Sequence, residues 1–180
     1  MMNVKMLVGT ISQKSASLAL GLHFQKRYSD TMNIEILNID LPHYNGDIDN
    51  DSDRPAAIVE FYDKLAQADA VIIITPEYNN SIPGVLKNAI DWGSRTKHFT
   101  NKATLLAATS MGMTGGARGY MHLLDIMHRL PMMVLPGNDI LVANTRSKFS
   151  ETGELTDLPT VEFIDGVVDA FVNYYNMVKA

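Results

Sequence analysis

The chain has 180 residues, no cysteine, and 15 basic against 20 acidic side chains, a net charge of −5. That is one ordinary domain, and 46% hydrophobic residues let it bury a core, so disorder is excluded as its main state. The missing cysteines exclude disulfides, a thiolate nucleophile and Cys-based metal sites, and the acidic balance excludes nucleic acid, which needs clustered Lys and Arg.

No apolar run approaches the roughly 20 residues of a bilayer span, so no membrane partner is expected. The start, MMNVKMLVGTIS, lacks the apolar stretch and cleavage site of a signal peptide. A cytoplasmic single domain over residues 1–180 is the expectation. VKMLVG (4–9) predicts a first strand, and Leu18, Leu20, Leu22, Phe24 and Tyr28 predict a helix over 15–29. IEILNI (34–39) predicts a second strand. Next comes 40–53, which carries Asp40, Asp47, Asp49, Asp51 and Asp53 and no Lys or Arg; the rest of the chain has 15 charges of each sign, so the net charge resides in this one polar loop. A helix over 55–68 follows, marked by Ile58, Val59, Tyr62 and Leu65, then the strand AVIIIT (70–75). Val85, Leu86, Ala89, Ile90 and Trp92 mark a helix over 83–95, and ATLLAAT (103–109) a fourth strand. Tyr120, Leu123, Leu124, Met127 and Leu130 mark a helix over 117–130, and MMVLP (132–136) a fifth strand. Val161, Ile164, Val168, Phe171, Val172 and Tyr175 give the chain a closing amphipathic helix.

Five strands separated by helices imply a parallel sheet, because each parallel crossover needs a helix-length connection. AVIIIT has no polar alternation, as expected of a strand covered on both faces. The predicted fold is α/β, a doubly wound five-stranded parallel sheet with helices on both faces. Ligands of such sheets sit beyond the carboxyl ends of the strands, where strand order reverses. The loops after strands one, three and four therefore matter most.

The first, Gly9-Thr10-Ile11-Ser12-Gln13-Lys14-Ser15-Ala16-Ser17, offers four hydroxyls and an ammonium group at the start of a helix, where backbone N–H groups favour an anion. It matches neither GxGxxG nor GxxxxGK[ST], which favours a terminal monophosphate over a dinucleotide or a nucleoside triphosphate. Helix capping by Ser and Thr is the plainer alternative. The second, Thr75-Pro76-Glu77-Tyr78-Asn79-Asn80-Ser81-Ile82-Pro83-Gly84, is stiffened by prolines and presents a flat aromatic and amides, which suits a planar heteroaromatic ligand. Tyr78 could equally be a packing residue, and Trp92 reads as core or interface. The third, Ser110-Met111-Gly112-Met113-Thr114-Gly115-Gly116-Ala117-Arg118, has glycines that allow close approach to a ligand and methionines that give a soft apolar surface or anchor the loop.

Together these loops resemble the NADPH-dependent FMN reductase family, flavodoxin-like flavoproteins that include quinone, azo-dye and chromate reductases. TPEYNNSIPGVLKNAIDWGSR (75–95) reads almost letter for letter as that family's signature, and LPHYNGDID, ADAVIIITPEYN and the Gly-Gly-Ala-Arg after the fourth strand agree; the similarity runs to about residue 145. The resemblance implies that Thr10, Ser12, Ser15 and Ser17 hold the FMN phosphate. It implies that Pro76, Glu77, Tyr78 and Asn79 border the isoalloxazine ring, with Ser110, Met111, Gly112 and Gly115 at its other edge. The family commonly reads G-S-x-R-x-x-S-x-N in the first loop; here Ser12 replaces the Arg and Ser17 the Asn, with Lys14 nearby. Loss of a charge-assisted phosphate contact weakens binding.

The implied activity is ping-pong hydride transfer from NADPH or NADH, through FMN, to a small-molecule acceptor such as a flavin, quinone or azo compound, with no catalytic side chain. Lys87, Arg95 and Arg118 are candidates for the nicotinamide dinucleotide's phosphates, since 84–129 holds six Lys and Arg against two acids; helix-surface charges are the alternative. The resemblance also implies a homodimer or homotetramer, built by the helices after the second and third loops and fitting the Trp92 and Tyr120 faces. An electron carrier or flavin-binding protein without NADPH turnover is the rival reading. A receiver-type domain is excluded, because Val8-Gly9-Thr10 offers no acid pair for Mg²⁺. Asp49, Asp51 and Asp53 mimic a Ca²⁺ loop, but Arg54 stands at its required Gly. The five histidines show no metal spacing, so no metal site is expected.

Overall fold

A computed structural model describes residues 1–179. Its strands are β1 (Met2–Val8), β2 (Met32–Ile36), β3 (Ala70–Pro76), β4 (Ala103–Thr109), β5 (Met133–Val134) and β6 (Ile140–Val142). Its helices are α1 (Ala16–Arg27), α2 (Ala56–Ala66), α3 (Gly84–Ser94), α4 (Ala117–Arg129), the single turn α5 (Thr145–Lys148) and α6 (Leu158–Lys179). The sheet is parallel throughout, in the order β2-β1-β3-β4-β5, and β6 also pairs with β4.

Period-two positions of the central strands serve two different cores. Met6, Val8, Ile72, Ile74, Leu105 and Ala107 pack with α1 and α6 on one face. Leu7, Val71, Ile73, Leu106 and Ala108 pack with α2, α3 and α4 on the other. This double burial is why β3 shows no polar alternation along AVIIIT and why β4 is buried end to end.

The fifth strand position departs from the sequence expectation. MMVLP contributes only the two residues of β5, which pair with Ala103 and Thr104; β6 then fills the carboxyl half of the same edge, against Ala107–Thr109. Between them Pro136 lacks an N–H for the ladder and Gly137 takes a φ of +73°, so the backbone leaves the sheet. The Tyr120 hydroxyl donates to Asp139 Oδ1 at 2.7 Å and holds this excursion against α4. Burial and that hydrogen bond push the Tyr120 hydroxyl's pKa well above its ordinary value.

Of the two readings of Trp92, core or interface, the structure shows core, and Tyr120 joins it there. Both side chains belong to the core under α3 and α4, and Trp92 Nε1 donates to Pro42 O at 2.7 Å. Neither ring is available to a second subunit. Among the described residues no helix is long and apolar enough to cross a membrane.

Candidate functional site

Strand order reverses between β1 and β3: β1 continues into α1 on one face, and β3 into α3 on the other. Gly9 lies at this divide. Its N–H donates to Ile74 O at 2.7 Å, and a Cβ there would lie 3.0 Å from Leu86 and 3.1 Å from Pro76. A larger residue would push the first loop off β3, so glycine sets the spacing of the two loops.

A cleft of about 970 Å³ opens at this end of the sheet. Of the residues expected at the ligand, Ser15, Ser17, Pro76, Glu77, Tyr78, Ser110, Met111 and Gly112 line it. Thr10, Ser12, Asn79 and Gly115 are not among its lining residues, and each has a structural task in its loop. Thr10 Oγ1 accepts from Ser12 N at 3.0 Å and Ser12 Oγ from Lys14 N at 3.4 Å, which winds the first loop towards α1. Asn79 adopts a φ of +51° in the tight turn closed by the Tyr78–Ser81 bridge. Gly115, at φ +63°, passes so close to Leu141 that a Cβ would lie 2.9 Å from its backbone.

Three polar contacts define the cleft's interior. Ser15 is the N-cap of α1, its Oγ accepting from Leu18 N at 3.1 Å. The buried Ser17 hydroxyl meets Thr109 Oγ1 at 2.7 Å and ties α1 to the end of β4. Glu77 turns its carboxylate onto the start of α4, where Oε2 accepts from Arg118 N at 2.9 Å and Gly119 N at 3.1 Å. A negative charge at a helix N-terminus is well placed, and this contact holds the Glu77 Oε2 against the start of α4.

The three candidate cations for the nicotinamide dinucleotide lie off this cleft. None of Lys87, Arg95 and Arg118 lines the cleft. Lys87 pairs with Asp91 at 2.6 Å along α3, Arg95 Nε donates to Asp49 at 2.8 Å, and Arg118 Nη1 donates to Asn80 at 3.0 Å. The acidic loop is thus partly consumed by the basic segment. Arg95's hydrogen bond, reinforced by Arg54, holds the Asp49 carboxyl below its usual range. The Asp49 side chain is only 7% exposed and its oxygens face these two guanidinium groups, which is incompatible with a role as a solvated Ca²⁺ ligand.

The basic side chains that line the cleft are Lys14 and Arg146. Arg146 belongs to a wall that sequence reasoning missed, formed by Thr145, Phe149 and the Ser150–Gly153 turn. Its signal was the apolar triplet ILV at 140–142, which marks the true carboxyl end of the fifth strand position and makes the following segment a fourth loop at the ligand edge. In chemical terms the cleft offers hydroxyl and backbone donors, two cations at its polar surfaces, and a flat proline and tyrosine rim. That donor set fits a planar heterocycle carrying an anionic tail.

Comparisons with known proteins agree with this chemistry. Residues 2–147 match the family described as NADPH-dependent FMN reductase. The chain is 38% identical to a quinone reductase of Escherichia coli (strain K12) over 143 residues, 78% of this chain and 76% of that one. It is 34% identical to subunit 2 of an NADH-dependent flavin reductase of Lactobacillus johnsonii, covering 96% of this chain and 97% of that one. Among solved structures, a flavoenzyme NAD(P)H:(acceptor) oxidoreductase from Paracoccus denitrificans superposes with a TM-score of 0.89 over 98% of each chain, at 31% identity.

Proposed function

The chain belongs to the NADPH-dependent FMN reductase family, and from that membership we propose that it is an NAD(P)H-dependent oxidoreductase that binds FMN in the β1/β3 cleft and reduces a small-molecule acceptor such as a flavin, quinone or azo compound. The observation that carries this reading is the cleft itself, whose stiff Pro76–Tyr78 rim and hydroxyl-lined α1 end suit the two ends of such a cofactor.

FMN, when bound, supplies the capacity to accept and return a hydride. The protein's part is to hold and orient it. Ser15, Ser17 and the N–H groups of α1's first turn would receive the phosphate. Pro76, Glu77, Tyr78, Ser110, Met111 and Gly112 would border the ring system, while Thr10, Ser12, Asn79 and Gly115 fix the backbone of the loops that carry them. No side chain is assigned as acid or base. Because Tyr78 and Met111 stand exposed at the rim, the cleft is open enough for the nucleotide and the acceptor to use the same space in turn. That order predicts ping-pong kinetics. With FMN present, NADPH oxidation at several fixed quinone concentrations should give parallel double-reciprocal lines. Intersecting lines would refute the shared site, and an absence of turnover would favour an electron carrier.

A homodimer or homotetramer is part of the same reading. Met111, Met113 and Met121 stay exposed on the β4–α4 loop and the first turns of α4, and they offer the apolar surface that the buried Trp92 and Tyr120 cannot. Sedimentation at micromolar concentration should show an oligomer; a monomer would contradict it.

A further inference from the structure

A phosphomonoester carries between one and two negative charges near neutral pH, and the α1 end of the cleft meets it mainly with neutral donors. Ser15 Oγ already accepts from Leu18 N, and Ser17 shares its hydroxyl with Thr109. The first loop has Ser12 where an Arg would give a charge-assisted contact of roughly twice the strength, and Ser12 itself stands off the cleft, bonded to Lys14 N. Lys14 is the one cation of the first loop on the cleft, and any further charge at this site must come from another part of the chain.

Arg146 is placed to supply it. Its segment begins against the β4 loop, where Asn144 N donates to Gly112 O at 3.1 Å and Thr145 N to Ser110 O at 3.2 Å. It ends against α1, where a Cβ on Gly153 would touch Ala19 at 3.7 Å. Lys148 fastens the middle, reaching Asp157 at 3.2 Å and Thr160 at 2.5 Å. The wall between the β4 loop and α1 is therefore clamped at both ends and in the middle, and Arg146 projects from it into the lining of the cleft that Ser15 and Ser17 share. Among the described residues no acid lies within ion-pair distance of Arg146 or Lys14. Of the two acids on the cleft, Glu77 is bound to α4, and Glu151 lies five residues beyond Arg146 in the turn towards α1.

We infer that Arg146 is the residue that holds the FMN phosphate by charge, adding from the 145–153 wall to the single cation of the first loop, Lys14. This rests on the proposed reading that the cleft binds FMN. A guanidinium there could donate two N–H groups to the phosphate oxygens at once, which a lysine could match only in part.

The test compares two flavins that differ only in the phosphate. The full chain, stripped of flavin, is titrated with FMN and with riboflavin, following quenching of flavin fluorescence. Wild type should bind FMN much more tightly than riboflavin. Arg146→Gln should lose about tenfold or more in FMN affinity with riboflavin affinity unchanged, and Arg146→Lys should recover part of the loss. Equal losses for both flavins, an unchanged FMN affinity, or a wild type that does not prefer FMN would each overturn the assignment while leaving flavin binding intact. A wild type that binds neither flavin would overturn the functional reading as well.

Discussion

Glu77 shows how one side chain in the signature loop serves the architecture before it serves a ligand. Its carboxylate receives the first N–H groups of α4, so the β3–α3 loop and the α4 helix are locked together at the rim of the cleft. Removing it leaves two helix-terminal donors without a partner, worth about 1–2 kcal/mol by the usual scale of N-terminal caps. Glu77→Ala should therefore lower the urea midpoint, and Glu77→Gln, which keeps an acceptor oxygen, should lower it less. Equal midpoints for all three proteins would show that the contact does not stabilise the fold. A sequence alone names Glu77 as a ligand-side residue; the cap is invisible there because its donors lie 41 and 42 residues away.

At the scale of elements, the loop 40–53 is a strap over α3 and not a free acidic patch. Asn88 brackets it with bonds from its side chain to Leu41 O and Pro42 O and an acceptor for Tyr44 N, Trp92 Nε1 holds Pro42 O, and Tyr44 lies edge-on to the Trp92 ring. Asp49 closes the far end against Arg54 and Arg95. The Asp49 carboxyl is held below its ordinary value of 3.8, foremost by Arg95. A carboxyl depressed in the folded state stabilises fully above its unfolded value and loses that contribution as pH falls through the folded one. Asp49→Asn should accordingly cost about 1–3 kcal/mol near pH 7, because two guanidinium groups lose their charged partner. The gap between variant and wild type in thermal unfolding should narrow below about pH 3.8. A gap that is absent at pH 7, or constant with pH, would contradict the clamp. Charge counting placed all five acids in one polar loop; what it could not see was a pairing that spans 46 residues from Asp49 to Arg95.

For the whole molecule, the doubly wound sheet was legible because long apolar runs and helical periods alternate strictly, and both signals survive without knowledge of neighbours. β5 was found within MMVLP but with too long a span, and β6 was missed, since strands of two and three residues have no period to read. The consequence reached the site: with the fifth strand ended too early, the 145–153 wall and Arg146 went unassigned, while the loops after β1, β3 and β4 were placed correctly at the cleft. Four residues expected at the ligand, Thr10, Ser12, Asn79 and Gly115, also shape the loops, which only the hydrogen bonds and backbone angles of those loops could reveal. The central claim, that this cleft carries a flavin able to pass a hydride from a nicotinamide nucleotide to an acceptor, is tested most directly by absorbance near about 450 nm, where oxidised flavin absorbs. The FMN-loaded protein, freed of oxygen, should lose that band when NADPH or NADH is added and regain it when a quinone follows. Failure to retain FMN, or a band that neither nucleotide bleaches, would contradict the account.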